Sequence, residues 1–248
     1  MRIAALCLAI GALPGVAHAQ DEASQARLLP LDPVRARFEK SGISYGLTWT
    51  GEVFDVTSGG LSRGGSFNGL LEAYTDVDLD KLAGWKGAAI HVNAFYIHGI
   101  GPAETHLGSL APVSSVEALE SLRLFELWIE QLLFNDKLRI RAGQIAADEE
   151  FIISETAGEF LNGTFGWPGS AAINMLQGGP AFPFAVPGVR VSFSPSDQVT
   201  LLAGVFDSLV APGDADDPQR ANPNGTNFRV GDPPLLIGEA QFKYGEHL

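Results

Sequence analysis

Cysteine is almost missing from this 248-residue chain: Cys7 is the only one, and it lies in an apolar stretch at the extreme N-terminus. A disulfide framework is therefore excluded, and hydrogen bonding and packing must hold the fold. Long apolar runs are equally scarce. Beyond the first residues no stretch of about 20 apolar residues occurs, which excludes a transmembrane helix. A membrane location would then require a closed barrel, the other structure that satisfies every backbone group in lipid. Basic residues are few, 16 Lys and Arg against 29 Asp and Glu, so nucleic acid is excluded as a partner. Methionine occurs only twice, while Gly (29) and Phe (15) are abundant, a balance that suits strands and turns better than helices.

The N-terminus carries the three parts of a secretory signal: Arg2, an apolar stretch from Ile3 to Leu13, and Ala17-His18-Ala19 as a small-x-small cleavage site. Residues 1–19 are assigned to the signal, with the mature chain starting at Gln20. Loss of Arg2, one of the 16 basic residues, leaves 15 against 29 acidic ones, or −14.

The dominant pattern is period-two alternation, which marks strands with one apolar and one polar face. From Ile43 to Phe54 the positions Ile43, Tyr45, Leu47, Trp49 and Val53 are apolar, while Ser44, Thr48, Thr50 and Glu52 are polar. Further strands are predicted over Phe67–Asp80, Ala88–His98, Leu122–Phe134, Lys137–Gln144, Val189–Phe193, Val199–Phe206 and Leu235–Tyr244. In the second, Glu72, Asp76, Asp78 and Asp80 share a face, which is difficult to place in a packed core. The alternation predicts Tyr45, Leu71, Val92, Leu127 and Ile140 on one side, with Glu72, Asn93, Glu126 and Arg141 on the other.

Connections alternate in length as well. Lys81–Gly87, Asn135-Asp136 and Pro195–Gln198 are short. Asp55–Ser66, Gly99–Ser121, Ile145–Gly188 and Asp207–Pro234 are long and rich in Gly, Pro, Ser and Asn. Short periplasmic turns alternating with long external loops describe an outer-membrane barrel. A soluble β-sandwich has alternating strands too, but no reason to lengthen every second connection. Tyr45 and Tyr244 are expected at the periplasmic rim, and Phe67, Tyr96 and Phe125 at the external rim of outward rows, as aromatic girdles.

From Leu31 to Tyr244 the chain resembles the OprB-type carbohydrate-selective porin family. The blocks that carry the likeness are Gly42-Ile43-Ser44-Tyr45-Gly46-Leu47 after Arg35 and Arg37, Gly51-Glu52-Val53-Phe54, and Ser58-Gly59-Gly60-Leu61-Ser62-Arg63-Gly64. They continue with Phe125-Glu126-Leu127-Trp128-Ile129-Glu130-Gln131, Arg141-Ala142-Gly143-Gln144-Ile145-Ala146-Ala147-Asp148-Glu149-Glu150-Phe151, Asn162-Gly163-Thr164-Phe165-Gly166-Trp167-Pro168 and Gly178-Gly179-Pro180-Ala181-Phe182-Pro183. The resemblance implies an all-β fold, a transmembrane antiparallel up-and-down β-barrel of sixteen strands. It further implies passive, sugar-selective diffusion and a long loop that folds inward to narrow the pore. About eight strands are counted here, so the chain is expected to be the N-terminal half. Residues 20–42 would be a periplasmic segment with a short helix over Pro33–Ser41, and residues 43–248 the half-barrel with loop 145–188 inside it.

A sugar pore needs donors and acceptors for hydroxyl groups and often an aromatic face. Wall residues that fit are Glu52, Asn93, Glu126, Trp128, Glu130, Arg139 and Arg141, joined by Asp148, Glu149, Glu150, Asn162 and Trp167 from the long loop. Solute binding must stay weak for conduction. Each residue also has a plain structural role open to it: Arg139 and Arg141 as cross-strand ion pairs with Glu126 and Glu130, Trp128 and Trp167 as packing groups, Asp148–Glu150 as a solvated loop. Expected partners are small sugars and outer-membrane lipid with lipopolysaccharide; a homotrimer is common among porins. No cofactor or metal is expected.

Enzyme chemistry fits poorly. Glu126 and Glu130, four residues apart on one strand, stand roughly 13 Å from each other, beyond either glycosidase separation. No Gly-x-Ser-x-Gly elbow or phosphate-binding Gly-Lys-Ser/Thr loop occurs, and His91, His98 and His106 lack a clear nucleophile partner. A general or anion-preferring porin, with Lys137, Arg139 and Arg141 as the selective row, and a secreted carbohydrate-binding β-sandwich remain the alternatives.

Overall fold

A computed structural model describes residues 3–10, 32–154, 156–213 and 217–243. Nine strands form a single sheet in strict chain order, every neighbouring pair antiparallel. They are β1 (Ile3–Ile10), β2 (Ile43–Val56), β3 (Gly64–Asp78), β4 (Ala88–Ile100), β5 (Ser121–Leu133), β6 (Leu138–Ile145), β7 (Val186–Ser196), β8 (Val199–Phe206) and β9 (Leu235–Phe242). The eight strands from β2 onward lie where the alternation predicts them. Strand β1 falls in the segment assigned to the signal and pairs with the free edge of β2, Ile3 opposite Val56. Among the described residues there is one sheet and no second layer of strands, which overturns the sandwich alternative.

Register follows polarity, because a one-residue slip would turn every apolar side chain to the wrong face. Tyr45 pairs with Thr75, Thr75 with Val92, Val92 with Leu127, and Ile129 with Ala142, which puts Tyr45, Leu71, Val92, Leu127 and Ile140 on one face. This face is exposed and apolar: Leu47, Val53, Leu122 and Leu236 are all more than half exposed. The opposite face holds the buried polar side chains Glu52, Asn68, Glu72, Asn93, Glu126 and Arg190.

Two expectations need correction. Asp55–Ser66 is not a long loop, because β2 and β3 pair as far as Val56 and Gly64, leaving residues 57–63. Phe125 does not face outward. A β-bulge opposite Asn93 and Ala94 inserts it into β5, and Phe125 turns to the inner face beside Glu126. There it is 2% exposed and stacks on Phe95 at 4.3 Å. Tyr244, expected at the periplasmic rim, lies outside the described residues.

The long connections at one end, residues 101–120, 146–185 and 207–234, fold back over the inner face. Their apolar residues pack with those of the inner strand face to form its core. Ile145, Phe151, Trp167, Phe184, Val186, Phe206 and Val210 form one cluster, and Leu70, Phe95, Ile97, Val116 and Phe125 form another. Short turns at the other end include α2 (Leu79–Ala83), capped by the Asp78 carboxylate on the Asp80 and Lys81 N–H groups. Ahead of β2 stands α1 (Asp32–Lys40), close to the expected helix over Pro33–Ser41.

Candidate pore-wall site

Arg141 on β6 and Arg190 on β7 are direct cross-strand partners on the inner face. Two like charges placed so would repel, and two carboxylates resolve the conflict. Glu130 of β5 accepts from Arg141 Nε at 3.1 Å, and the same carboxylate oxygen is ion-paired with Arg190 Nη2 at 3.2 Å. Glu150, from the long connection after β6, closes the other side: its Oε1 accepts from Arg141 Nη1 and its Oε2 from Arg190 Nε. Charges alternate around this four-residue clamp, which is what lets it be buried. All four side chains are 15% exposed or less.

Arg141 is further held by an aromatic file. Its guanidinium lies over Trp128 of β5, Cζ 3.5 Å from the ring centroid. Trp128 stacks on His91 of β4 at 4.8 Å, and His91 stacks more loosely on Tyr74 of β3 at 6.4 Å. His91 Nδ1 is 2.6 Å from the Asp76 carboxylate, which fixes the ring. Gly143, opposite Trp128, lets the two strand backbones approach closely: a Cβ there would meet the Leu127 carbonyl oxygen at 2.2 Å and Trp128 Cα at 2.6 Å.

The same connection docks through acids of the wall and of its own. Glu126 accepts the Ala146 N–H at 2.9 Å and the Trp128 indole N–H at 3.2 Å. Asp148 accepts the Phe182 N–H at 2.8 Å, closing residues 146–185 on themselves. Burial, with the nearby Glu126 charge, pushes Asp148 up to about 7 against the opposing Phe182 N–H. Burial also raises Glu149 well above the usual carboxylate range, helped by the charges of Asp148, Glu126, Glu72 and Glu150. Beyond the clamp, Ile152 N–H reaches Glu239 of β9 at 2.7 Å, so the connection crosses from β6 to the far end of the sheet.

Of the residues expected from sequence, Glu126, Trp128, Glu130, Arg141 and Glu150 come together here. Asp148 and Glu149 adjoin them, but toward other acids and not toward the arginines. Asn93 donates to Glu72 at 2.8 Å. Glu52 lies under the 101–120 connection, accepting from Ser114 Oγ at 2.8 Å and Asn68 Nδ2 at 2.7 Å. Arg139 is exposed near the short-turn end and outside the clamp. Asn162 caps a turn through the Thr164 N–H, and Trp167 is 8% exposed, donating to the Gly178 carbonyl.

Arg190 was missed. Its signal was present in Val189-Arg190-Val191-Ser192-Phe193, where the arginine occupies the polar phase. Arg123 was also missed: it is 1% exposed and donates to Ser121 Oγ and to the carbonyls of Pro183 and Asn222. It thereby ties two long connections to β5.

The profile of the carbohydrate-selective porin, OprB family matches residues 63–247. The chain belongs to that family. It is similar in fold to the high-pH structure of Pseudomonas putida OprB, with a TM-score of 0.70 at 20% identity over 84% of this chain and 50% of that one. The low-pH structure of the same protein matches with a TM-score of 0.42 at 16% identity, over 72% of this chain and 50% of that one. The chain thus spans about half the length of the solved porin. No curated protein matches it.

Proposed function

We propose that this OprB-family chain supplies half the wall of a pore through which small sugars diffuse passively across a bacterial outer membrane. The observation that carries this reading is the clamp of Glu130, Arg141, Arg190 and Glu150 on the inner face. A neutral polyhydroxy solute exchanges hydrogen bonds with guanidinium and carboxylate alike, whereas an ion of either sign meets one repelling partner. Selectivity of this type requires neither catalysis nor an energy source. The anion-preferring alternative loses ground because Arg141 is matched by carboxylates.

In this reading residues 1–19 are an export signal. Their removal takes β1 away and frees the edge of β2, the edge that the last strand occupies in a closed barrel. The exposed apolar face meets lipid, and the 101–120, 146–185 and 207–234 connections lie on the external side.

The test is planar-bilayer recording of the intact protein and its Arg141→Ala variant. Wild type should show sugar-induced block of ion current. Arg141→Ala should weaken that block and shift the reversal potential in a salt gradient toward cations, because Glu130 and Glu150 are left facing Arg190 alone. Unchanged block and reversal potential would return Arg141 to a structural role in the wall.

A further inference from the structure

Helix α1 does not run on freely into β2; its direction is set. Ser41 N–H and Gly42 N–H close the last turn on the carbonyls of Phe38 and Glu39, at 2.9 and 3.1 Å. Gly42 then turns the chain at φ +87°, packed where a Cβ would meet the Asp78 carbonyl oxygen at 2.7 Å. Its own carbonyl accepts the Asp78 N–H at 2.7 Å. A final contact sets one edge of the helix against the outside of the wall: Phe38 meets Tyr45 edge to face at 6.0 Å. Tyr45 belongs to the outward row that continues through Leu47 and Trp49. The Phe38 edge of the helix therefore stands with the outer surface at the short-turn end, while Arg35 keeps its charge within reach of the inward-facing Tyr74.

The stripe Val34, Arg37, Phe38 and Ser41 follows helical spacing and lines an open groove. Val34 and Phe38 are 49% and 42% exposed. At the same end of the barrel Leu82, Trp85 and Phe134 are also exposed, so this end carries other apolar and aromatic side chains besides the helix stripe. Arg37 stands within this stripe, and Lys40 follows in the last turn. In a chain of strong negative charge, an apolar stripe with a cation set into it, continuous with a lipid-facing surface, matches an anionic headgroup layer.

We propose that α1 lies along the phospholipid headgroups of the periplasmic leaflet, with Val34 and Phe38 entering the acyl boundary and Arg37 meeting lipid phosphate. This depends on the barrel's lying in a membrane and not on which solute passes through it. The test uses the intact protein with Cys7→Ser and single cysteines at Val34, Ala36 or Phe38, each carrying a nitroxide. The protein is reconstituted into phosphatidylethanolamine vesicles containing phosphatidylglycerol. Labels at 34 and 38 should collide several-fold more with oxygen than with a water-soluble nickel chelate, and the label at 36 should show the reverse. Equal access of the chelate to all three positions would overturn the proposal. So would protection of 34 and 38 from both reagents, which would mean protein packing. Adding Arg37→Glu should raise chelate access at position 38 several-fold in phosphatidylglycerol vesicles and much less in phosphatidylcholine ones. Equal access in the two would remove Arg37 from the headgroup contact. Solute block is no part of these readouts, so their failure leaves the pore reading as it stands.

Discussion

The Cζ atom of Arg141 lies 3.5 Å from the centroid of the Trp128 ring, while His91 stacks against the same indole at 4.8 Å. Because β5 stands between β4 and β6, Trp128 is held from both sides, by His91 and by the Arg141 guanidinium. Trp128→Phe should preserve most of the sugar block, since an aromatic face remains under Arg141. Trp128→Ala should raise the half-blocking sugar concentration by about 2- to 30-fold, the equivalent of a cation–π contact of about 0.5–2 kcal/mol. Single-channel current block in the intact porin measures this. Identical block for all three proteins would leave Trp128 as wall packing alone.

The clamp should respond to its two signs in opposite directions. Glu150→Gln leaves Arg141 and Arg190 with one carboxylate, so the reversal potential should move toward anions. Arg190→Ala should move it toward cations. Breaking a buried pair on one side costs about 3–5 kcal/mol in general, so Glu150→Gln should also loosen the 146–185 connection. Limited proteolysis between residues 151 and 178 checks that, with faster cleavage expected.

Acidity should tighten the same connection. Asp148 is raised from 3.8 to about 7 by burial, so the folded state holds its proton more firmly than the unfolded chain does. This contribution is fully present below about pH 4 and is lost as the pH rises through about 7. Glu149, which faces Asp148, Glu126, Glu72 and Glu150, acts in the same sense. Proteolysis of residues 151–178 should be slower at pH 5 than at pH 8.5, and Asp148→Asn should reduce the difference. A protease unaffected by pH over that range is the necessary control. Equal rates at both pH values would show that the carboxyl is ionised without cost.

Arg123 should be intolerant of its closest chemical replacement. Its guanidinium reaches Ser121, Pro183 and Asn222 at once and lies 5.1 Å from the Phe184 ring centroid. A lysine ammonium cannot span those acceptors in one plane. Arg123→Lys should lower the thermal midpoint of the folded porin almost as far as Arg123→Ala, readable by heat-modifiable migration in detergent. A midpoint at the wild-type value for Arg123→Lys would reduce the residue to its charge.

Most of the sheet was legible because lipid and water impose opposite demands on alternate side chains, and each of the eight strands from Ile43 onward repeats that demand. Phe125 was misread since a bulge changes the phase without changing composition: Leu124-Phe125-Glu126-Leu127 reads as a regular strand until partners are counted. The site was legible in part. Glu130 and Arg141 follow from adjacent strands, and Arg190 has the polar phase on its own strand, but the seating of Glu150 between the two arginines depends on a long connection whose path no local pattern encodes. Arg139 shows the converse: its phase is right, yet it stands too near the short-turn end to join the clamp.

The extra residue at Phe125 acts on β5 as a frameshift acts on a message. Strand positions between it and the external loops have exchanged parity, so odd-numbered Arg123 faces inward together with even-numbered Glu126, Trp128 and Glu130. Flattening the bulge with Phe125 kept in the pleat would leave the composition of the strand untouched. Its cost would be topographical: in a strand paired as before toward the short turns, Ser121 and Arg123 would swing toward hydrocarbon while Leu122 and Leu124 turned into the water-filled side. The guanidinium that moors two loops would then have to drag its charge through the acyl layer or pull the strand out of register.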